Sequence, residues 1–241
     1  MANIVGDPRR RPECRSSAPV TTPCVGPYRT RVLRVGLCAL IACAFQSQAS
    51  PRAITSSLVS PISYDSRIIQ TGDVIFRRGR SVVSEIVLAA DRRLPFSHVG
   101  IVIVGDQRAW VVHATPDEPP GTDGIVRVEQ LAEFLSADRA SAAAVYRTDD
   151  RASASRAAAV ATEYARRRLP FDAAFDLSTA DRLYCTELVW RAYLAAGLDL
   201  TGGATDSLSI PLGHGPYLLP GTLLSGHLLR TVAEFTTPRT P

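Results

Sequence analysis

The chain has 241 residues, 46% of them hydrophobic and 21% charged, which suits one globular core once a leader is set aside. Its net charge of +4 is carried by residues 1–49, where seven arginines face only Asp7 and Glu13; the remainder is near neutral at −1 and shows no basic stripe for nucleic acid. All 27 basic residues are arginine, which excludes Schiff-base lysine chemistry and a catalytic serine–lysine pair.

In chain order, residues 1–49 read as a leader. Arg31 and Arg34 form a basic flank, Val35 to Phe45 an apolar run of eleven residues, and Ser47 and Ala49 supply the small residues of a secretory cleavage site. Eleven residues are too few to span a bilayer as a helix. Leu40-Ile-Ala-Cys43 also resembles a lipoprotein box, so membrane attachment through a lipidated Cys43 stays open beside cleavage after Ala49. The chain is thus expected in the bacterial cell envelope. A buried apolar helix is the competing reading of this run.

Residues 50–70 read as a lead-in, and 71–241 as the functional domain. Thr71 to Phe76 predicts a turn and a strand. Ser84 to Arg93 predicts a helix capped by Ser84. Phe96–Val104 and Arg108–Ala114 are β-rich runs joined by a hairpin signal at Gly105-Asp-Gln. A polar loop follows, then a short strand at 125–128, a helix around Glu129–Leu135 and a strand at 142–147. Asp150 caps an Ala-rich helix that ends before Pro170. Thr186 to Gly197 reads as an amphipathic helix, and 228–235 as a last strand. Antiparallel-looking strands mixed with helices argue α+β, not a doubly wound sheet.

Chemistry concentrates at few residues. Cys14, Cys24, Cys38 and Cys43 lie in the leader, so Cys185 is the lone thiol of the domain. It cannot staple the fold or build a multi-cysteine metal site. It falls at a helix N-terminus, where free N–H groups and the dipole favour thiolate; an inert buried cysteine is the plain alternative. Of four histidines, His98 and His113 sit on facing hairpin strands. With a two-residue turn at Gly105-Asp106 they are directly opposed; a turn shifted by one residue makes them diagonal, still within reach. A metal pair lacking a third ligand and a structural pair are alternatives to a thiol enzyme in which one histidine takes the proton and the other orients it. His214 and His227 read as loop residues.

Gly72-Asp-Val-Ile-Phe76, Phe96-Ser-His-Val-Gly100, Phe171-Asp-x-x-Phe175 and Asp181-x-x-Tyr-Cys-Thr-Glu-Leu-Val-Trp190 together resemble the circularly permuted papain-like amidases of the YiiX/YebB type, in the NlpC/P60 superfamily of cysteine hydrolases. The resemblance covers about residues 70–235. It implies a permuted papain-like fold, an antiparallel barrel-like sheet with packed helices. It also implies Cys185 as nucleophile, His98 as base and His113 as the third polar residue, where many relatives carry glutamate. No metal or other cofactor is expected. Tyr184, Phe171, Asp172 and Phe175 are candidates for a substrate wall, with core packing as their alternative. The expected activity is hydrolysis of an amide, ester or thioester in a cell-wall peptide or an N-acyl or lipid substrate; the rival is a non-catalytic ligand-binding or scaffolding domain.

Overall fold

A computed structural model describes residues 64–106, 108–116, 124–207 and 215–236. The leader with Cys43, most of the lead-in, His214 and much of the loops around it lie outside the described residues.

The strands are β1 (Val74–Gly79), β2 (His98–Gly105), β3 (Arg108–Thr115), β4 (Ile125–Gln130), β5 (Ala140–Arg147), the two-residue β6 (Asp206–Ser207) and β7 (Pro216–Tyr217), and β8 (Arg230–Thr236). The helices are α1 (Val82–Ala90), α2 (Leu131–Phe134), α3 (Arg151–Arg166) and α4 (Cys185–Ala195). Six strands form one antiparallel sheet in the order β4-β3-β2-β1-β5-β8. The α+β reading therefore holds.

Strand alternation divides the core into two layers. Val74, Phe76, Val99, Ile101, Val112 and Ala114 face the helices, where they pack with Leu188, Val189 and Tyr193 of α4 and with the alanines of α3. Ile75, Val102, Val111 and Val145 point the other way, onto Leu131, Phe134 and Leu135. The buried face of α3 is Ala154, Ala157, Ala158 and Ala161, small side chains that let α4 approach closely. Gly72, at φ +84, turns the chain into β1 where a Cβ would lie 2.5 Å from the Ala154 carbonyl oxygen.

Two local expectations are corrected. Ser81, not Ser84, caps α1, because its hydroxyl accepts the Ser84 N–H at 3.2 Å and the helix begins at Val82. Asp150 does cap α3, accepting the Ser153 N–H at 2.9 Å. Glu129 is in a strand, not a helix: β4 pairs with β3 through Trp110 opposite Gln130, and the helix starts only at Leu131. The β2–β3 hairpin pairs Gly105 with Arg108 and Ile101 with Val112. That register is one turn position later than direct opposition of the histidines requires, so His98 and His113 are diagonal.

Candidate active site

Cys185 is the first residue of α4, and the preceding Tyr184 has extended backbone (φ −99, ψ 172). The first-turn N–H groups of a helix have no intrahelical acceptor, so the Cys185 N–H is not used within α4. The helix start is fixed from beneath. Glu187 accepts the Tyr184 N–H at 3.4 Å and the Arg191 Nε–H at 2.7 Å, and Arg191 reaches on to the carbonyls of Leu177 and Thr179. Burial raises the Glu187 carboxyl to about 7 against the opposing pull of Arg191.

The thiol departs from the sequence expectation. Burial pushes Cys185 up to about 11, although N–H groups of Val99, Thr186 and Cys185 itself favour the thiolate. The residue keeps part of its surface on a cavity, so access survives while the surroundings disfavour charge. A helix N-terminus is a local feature visible in sequence; desolvation is a tertiary one, and here it prevails.

His98 opens β2 and His113 lies late in β3. Their rings are nearly perpendicular, with His98 Nε2 and His113 Nδ1 2.9 Å apart. His98 stacks on Phe134, and His113 meets the same ring edge-on. Gly100, beside them, has no room for a side chain: a Cβ would lie 2.5 Å from Val111 Cγ1 and 3.1 Å from His113 Cβ. Burial holds His98 well below its usual value, reinforced by the positive Arg77, by His113 and by Arg127. Burial also lowers His113, against the pull of Glu129.

Sequence reasoning missed Glu129. Its Oε2 lies 2.7 Å from His113 Nε2, a close charge contact with the ring N–H imperfectly aligned. Arg139 pairs with its other oxygen. Burial alone would raise this carboxyl, but His113, Arg139 and Arg77 bring it down to about 2. The signal was strand parity: in β4 Arg127 faces His113, so Glu129 shares the face of His113.

His98 and Cys185 line one small cavity of about 50 Å³, together with Arg77, Ser97, Thr115 and Phe171. No hydrogen bond joins the thiol to the imidazole among the described residues. His98 Nε2 is engaged by His113, which leaves Nδ1 as the ring nitrogen outside that contact. A second cavity, of about 80 Å³, also reaches Cys185. Tyr184 and Phe175 line it; Phe175 lines both, with a positive φ of 54 that is uncommon outside glycine. Asp172 lines neither. It is buried beneath the loop, where it accepts the N–H groups of Ala174 and Asp176 at 3.0 and 2.6 Å. His227 is exposed, at φ 55.

The sequence profile of a family described as permuted papain-like amidase enzyme, YaeF/YiiX, C92 family, matches residues 68–204. The uncharacterized protein YiiX of Escherichia coli (strain K12) is 29% identical over 126 residues, 52% of this chain and 57% of that protein. The chain thus spans little more than half the length of that relative. A crystal structure described as metalloprotein yiiX from Escherichia coli O157:H7 aligns with a TM-score of 0.54 at 23% identity, over 68% of this chain and 96% of that one, and shows the shared fold. The donor set here does not suit a resident ion: no group of three or more His, Cys, Asp or Glu side chains is poised to hold a metal among the described residues. His98, His113 and Glu129 form a file in which each group faces the next, and they do not converge on one point.

Proposed function

The chain belongs to the permuted papain-like amidase family, and from that premise we propose that it is a cysteine hydrolase in which Cys185 attacks an amide carbonyl, with esters and thioesters as further donors. The observation that carries the reading is that His98, backed by a file of His113 and Glu129, lines one cavity with Cys185. Glu129 is held ionised beside His113, and His113 is paired with His98. A carboxylate at the far end selects one tautomer throughout: His113 Nε2–H donates toward Glu129, His98 Nε2–H donates to His113 Nδ1, and the lone pair of His98 Nδ1 is left for the thiol.

The resting pair is neutral, since burial raises the thiol and lowers the imidazole. Proton transfer therefore accompanies attack. The Sγ–C bond forms as the thiol proton passes to His98, and the carbonyl oxygen draws on the Cys185 N–H. His98 then gives that proton to the leaving nitrogen as the C–N bond breaks. Water attacks the thioester through the same histidine, the C–S bond breaks and the thiol is restored. Cell-wall peptides and N-acyl or lipid compounds are the two substrate classes of this reading.

Residues 1–49 complete the proposal as an export leader. The basic flank at Arg31 and Arg34 and the short apolar run support delivery to the cell envelope, with the mature chain starting near Ser50 or at a lipidated Cys43. Intact-mass measurement of the native protein distinguishes these two starts, and an unprocessed chain from Met1 would refute both.

The second reading, a ligand-binding domain without catalysis, draws on the missing hydrogen bond between Cys185 and His98. Turnover of an acyl p-nitroanilide separates the two. Cys185→Ala is expected to abolish it with unchanged circular dichroism; retained turnover would remove the thiol from the mechanism. Iodoacetamide labelling of Cys185 should be slow at pH 6 and rise toward pH 10 and above. Fast labelling at pH 6 would replace the neutral pair by a thiolate–imidazolium pair.

A further inference from the structure

A surface helix normally turns its apolar side chains inward, and α1 does the reverse. Every residue of α1 except Ser84 and Glu85 is apolar, yet Ser84 is the one that is buried. Val82, Ile86 and Val83 are 79%, 51% and 44% exposed. At about 3.6 residues per turn they share one continuous arc with Ala89 and Ala90. Polar contacts at the two ends hold the helix instead. At its start the Ser81 and Ser84 hydroxyls lie 3.0 Å apart, and Ser84 is set tightly against Gly79. At its end the buried Asp91 accepts the Gly221 N–H at 2.6 Å and the Arg93 Nε–H at 2.8 Å. Charge brackets the exposed arc. Arg80 stands just before the cap and Arg92 just after the C-terminal end, both exposed and neither in an ion pair among the described residues. The Arg80 Nε–H reaches only the Ala140 carbonyl, at 3.4 Å. Glu85, the acid of the helix, shares a surface hollow with Arg78.

We propose that α1 is a docking helix for an anionic lipid bilayer. Val82, Val83 and Ile86 enter the boundary between headgroups and acyl chains, and Arg80 and Arg92 meet lipid phosphates at the two ends. A cation at each end of an aliphatic arc suits a helix lying flat in the interface, where phosphates surround it on all sides. A second copy of the chain fits less well. The arc is about 13 Å long and about 10 Å wide, far below the roughly 800 Å² per partner of a stable interface. A twofold contact, parallel or antiparallel, would also bring these arginines onto one another. Three aliphatic side chains and two cations make the docking reversible, since firm anchoring takes a stronger pair of signals. The inference stands apart from the thiol reading, and none of its readouts is turnover.

The test puts a fluorescent probe on the arc of the full chain. Val82→Trp places it at the most exposed position, and Ser155→Trp places the same probe at an exposed position of α3. Both variants keep Trp110 and Trp190 and the same residues 1–49, so background emission and any attachment through the leader affect them alike. Vesicles of phosphatidylcholine and phosphatidylglycerol in equal parts, with brominated acyl chains, quench a tryptophan that enters the bilayer. Quenching of Val82→Trp should exceed that of Ser155→Trp at least about twofold, with a blue-shifted emission. It should weaken on phosphatidylcholine alone. Adding Arg80→Gln and Arg92→Gln to Val82→Trp should lower its quenching on the mixed vesicles roughly fivefold or more. Ala89→Trp serves as the arc probe where Val82→Trp fails to fold. Quenching on the arc no greater than at Ser155→Trp would overturn the docking. Quenching indifferent both to lipid charge and to the two arginines would overturn the assignment to anionic lipid. A blue shift that grows with protein concentration in the absence of vesicles would overturn the proposal in favour of a second copy.

Discussion

One cavity at Cys185 is lined by polar groups that lead into a file of side chains each facing the next; the other is walled mostly by apolar side chains, with the Tyr184 and Thr186 hydroxyls bonded to the backbone of Leu218. The contrast separates two tasks. Moving a proton needs fixed donors and acceptors, and the file from Arg139 through Glu129, His113 and His98 supplies them with little freedom. Shaping the apolar chamber beside the thiol falls to side chains outside that file, from α1 and the segment 217–220. Breaking the polar side should therefore cost kcat, and disturbing the apolar side should act mainly through KM.

The largest break is at His98. His98→Ala should lower kcat about 1,000-fold, within the range of a lost general base. His113→Ala should cost about 10- to 100-fold, since it removes orientation while leaving the base. Equal losses would mean that the two rings act as one coupled unit and would erase the distinction between base and positioning residue.

The next lies at the far end of the file. With its carboxyl at about 2 in place of 4.5, Glu129 contributes stability that is present above pH 4.5 and lost as pH falls toward 2, about 3 kcal/mol in all. His98 and His113, both lowered from 6.5, act in the same direction: the folded state resists their protonation, so stability begins to fall below pH 6.5. Glu129→Gln should flatten the part of the loss between pH 4.5 and 2, lower stability at pH 7 by about 3 kcal/mol, and reduce kcat tens-fold with little change in KM. Urea unfolding across pH and a kcat–pH profile read these out. An unaltered acid limb would detach Glu129 from the file.

Much of this site was legible in the sequence, and the misses share a cause. The hairpin, the histidine pair, the Asp150 cap and the thiol at a helix start rest on spacings of a few residues, which local chemistry sets. The histidine register depended on one turn position, which Gly105 and Asp106 left ambiguous. Glu129 was misplaced because Glu-Gln-Leu-Ala-Glu-Phe has good helix propensity from its first residue. Pairing with β3 extends the strand through Gln130 all the same. The direction of the thiol's shift and the apolar chamber depend on burial by segments distant in sequence, including α1 and residues 217–220. Neither has a local signature.

Gly100 of β2 packs against β3 beside His113. A methyl group there would meet Val111 Cγ1 and the Val112 carbonyl oxygen at 2.5 and 2.7 Å, too close without movement of β3 and of His113 with it. Gly100→Ala should cost about 1–3 kcal/mol as overpacking and lower kcat several-fold through displacement of His113. It should leave KM unchanged, because the apolar chamber does not include it. A raised KM would show that the two sides are mechanically linked.

The smallest expected effect sharpens the comparison from the apolar side. Tyr184 precedes the nucleophile, is buried, and turns its ring to the chamber while its hydroxyl accepts the Leu218 N–H at 3.0 Å. Burial raises this phenol far above its usual range, so it stays neutral and serves as an acceptor at any working pH. Tyr184→Phe keeps the ring and removes the acceptor. The Leu218 N–H, in a residue only 2% exposed, then loses its partner, a cost of about 1–2 kcal/mol or a drop in Tm of roughly 3–6 °C. Leu218 also receives the Thr186 hydroxyl on its carbonyl, so the segment loosens at one anchor and stays tied at the other. Turnover should accordingly fall a few-fold, mainly through KM, because the chamber wall yields while the file to His98 is untouched. A loss confined to kcat would instead place the Tyr184 hydroxyl in the proton-transfer machinery, on the polar side of the divide.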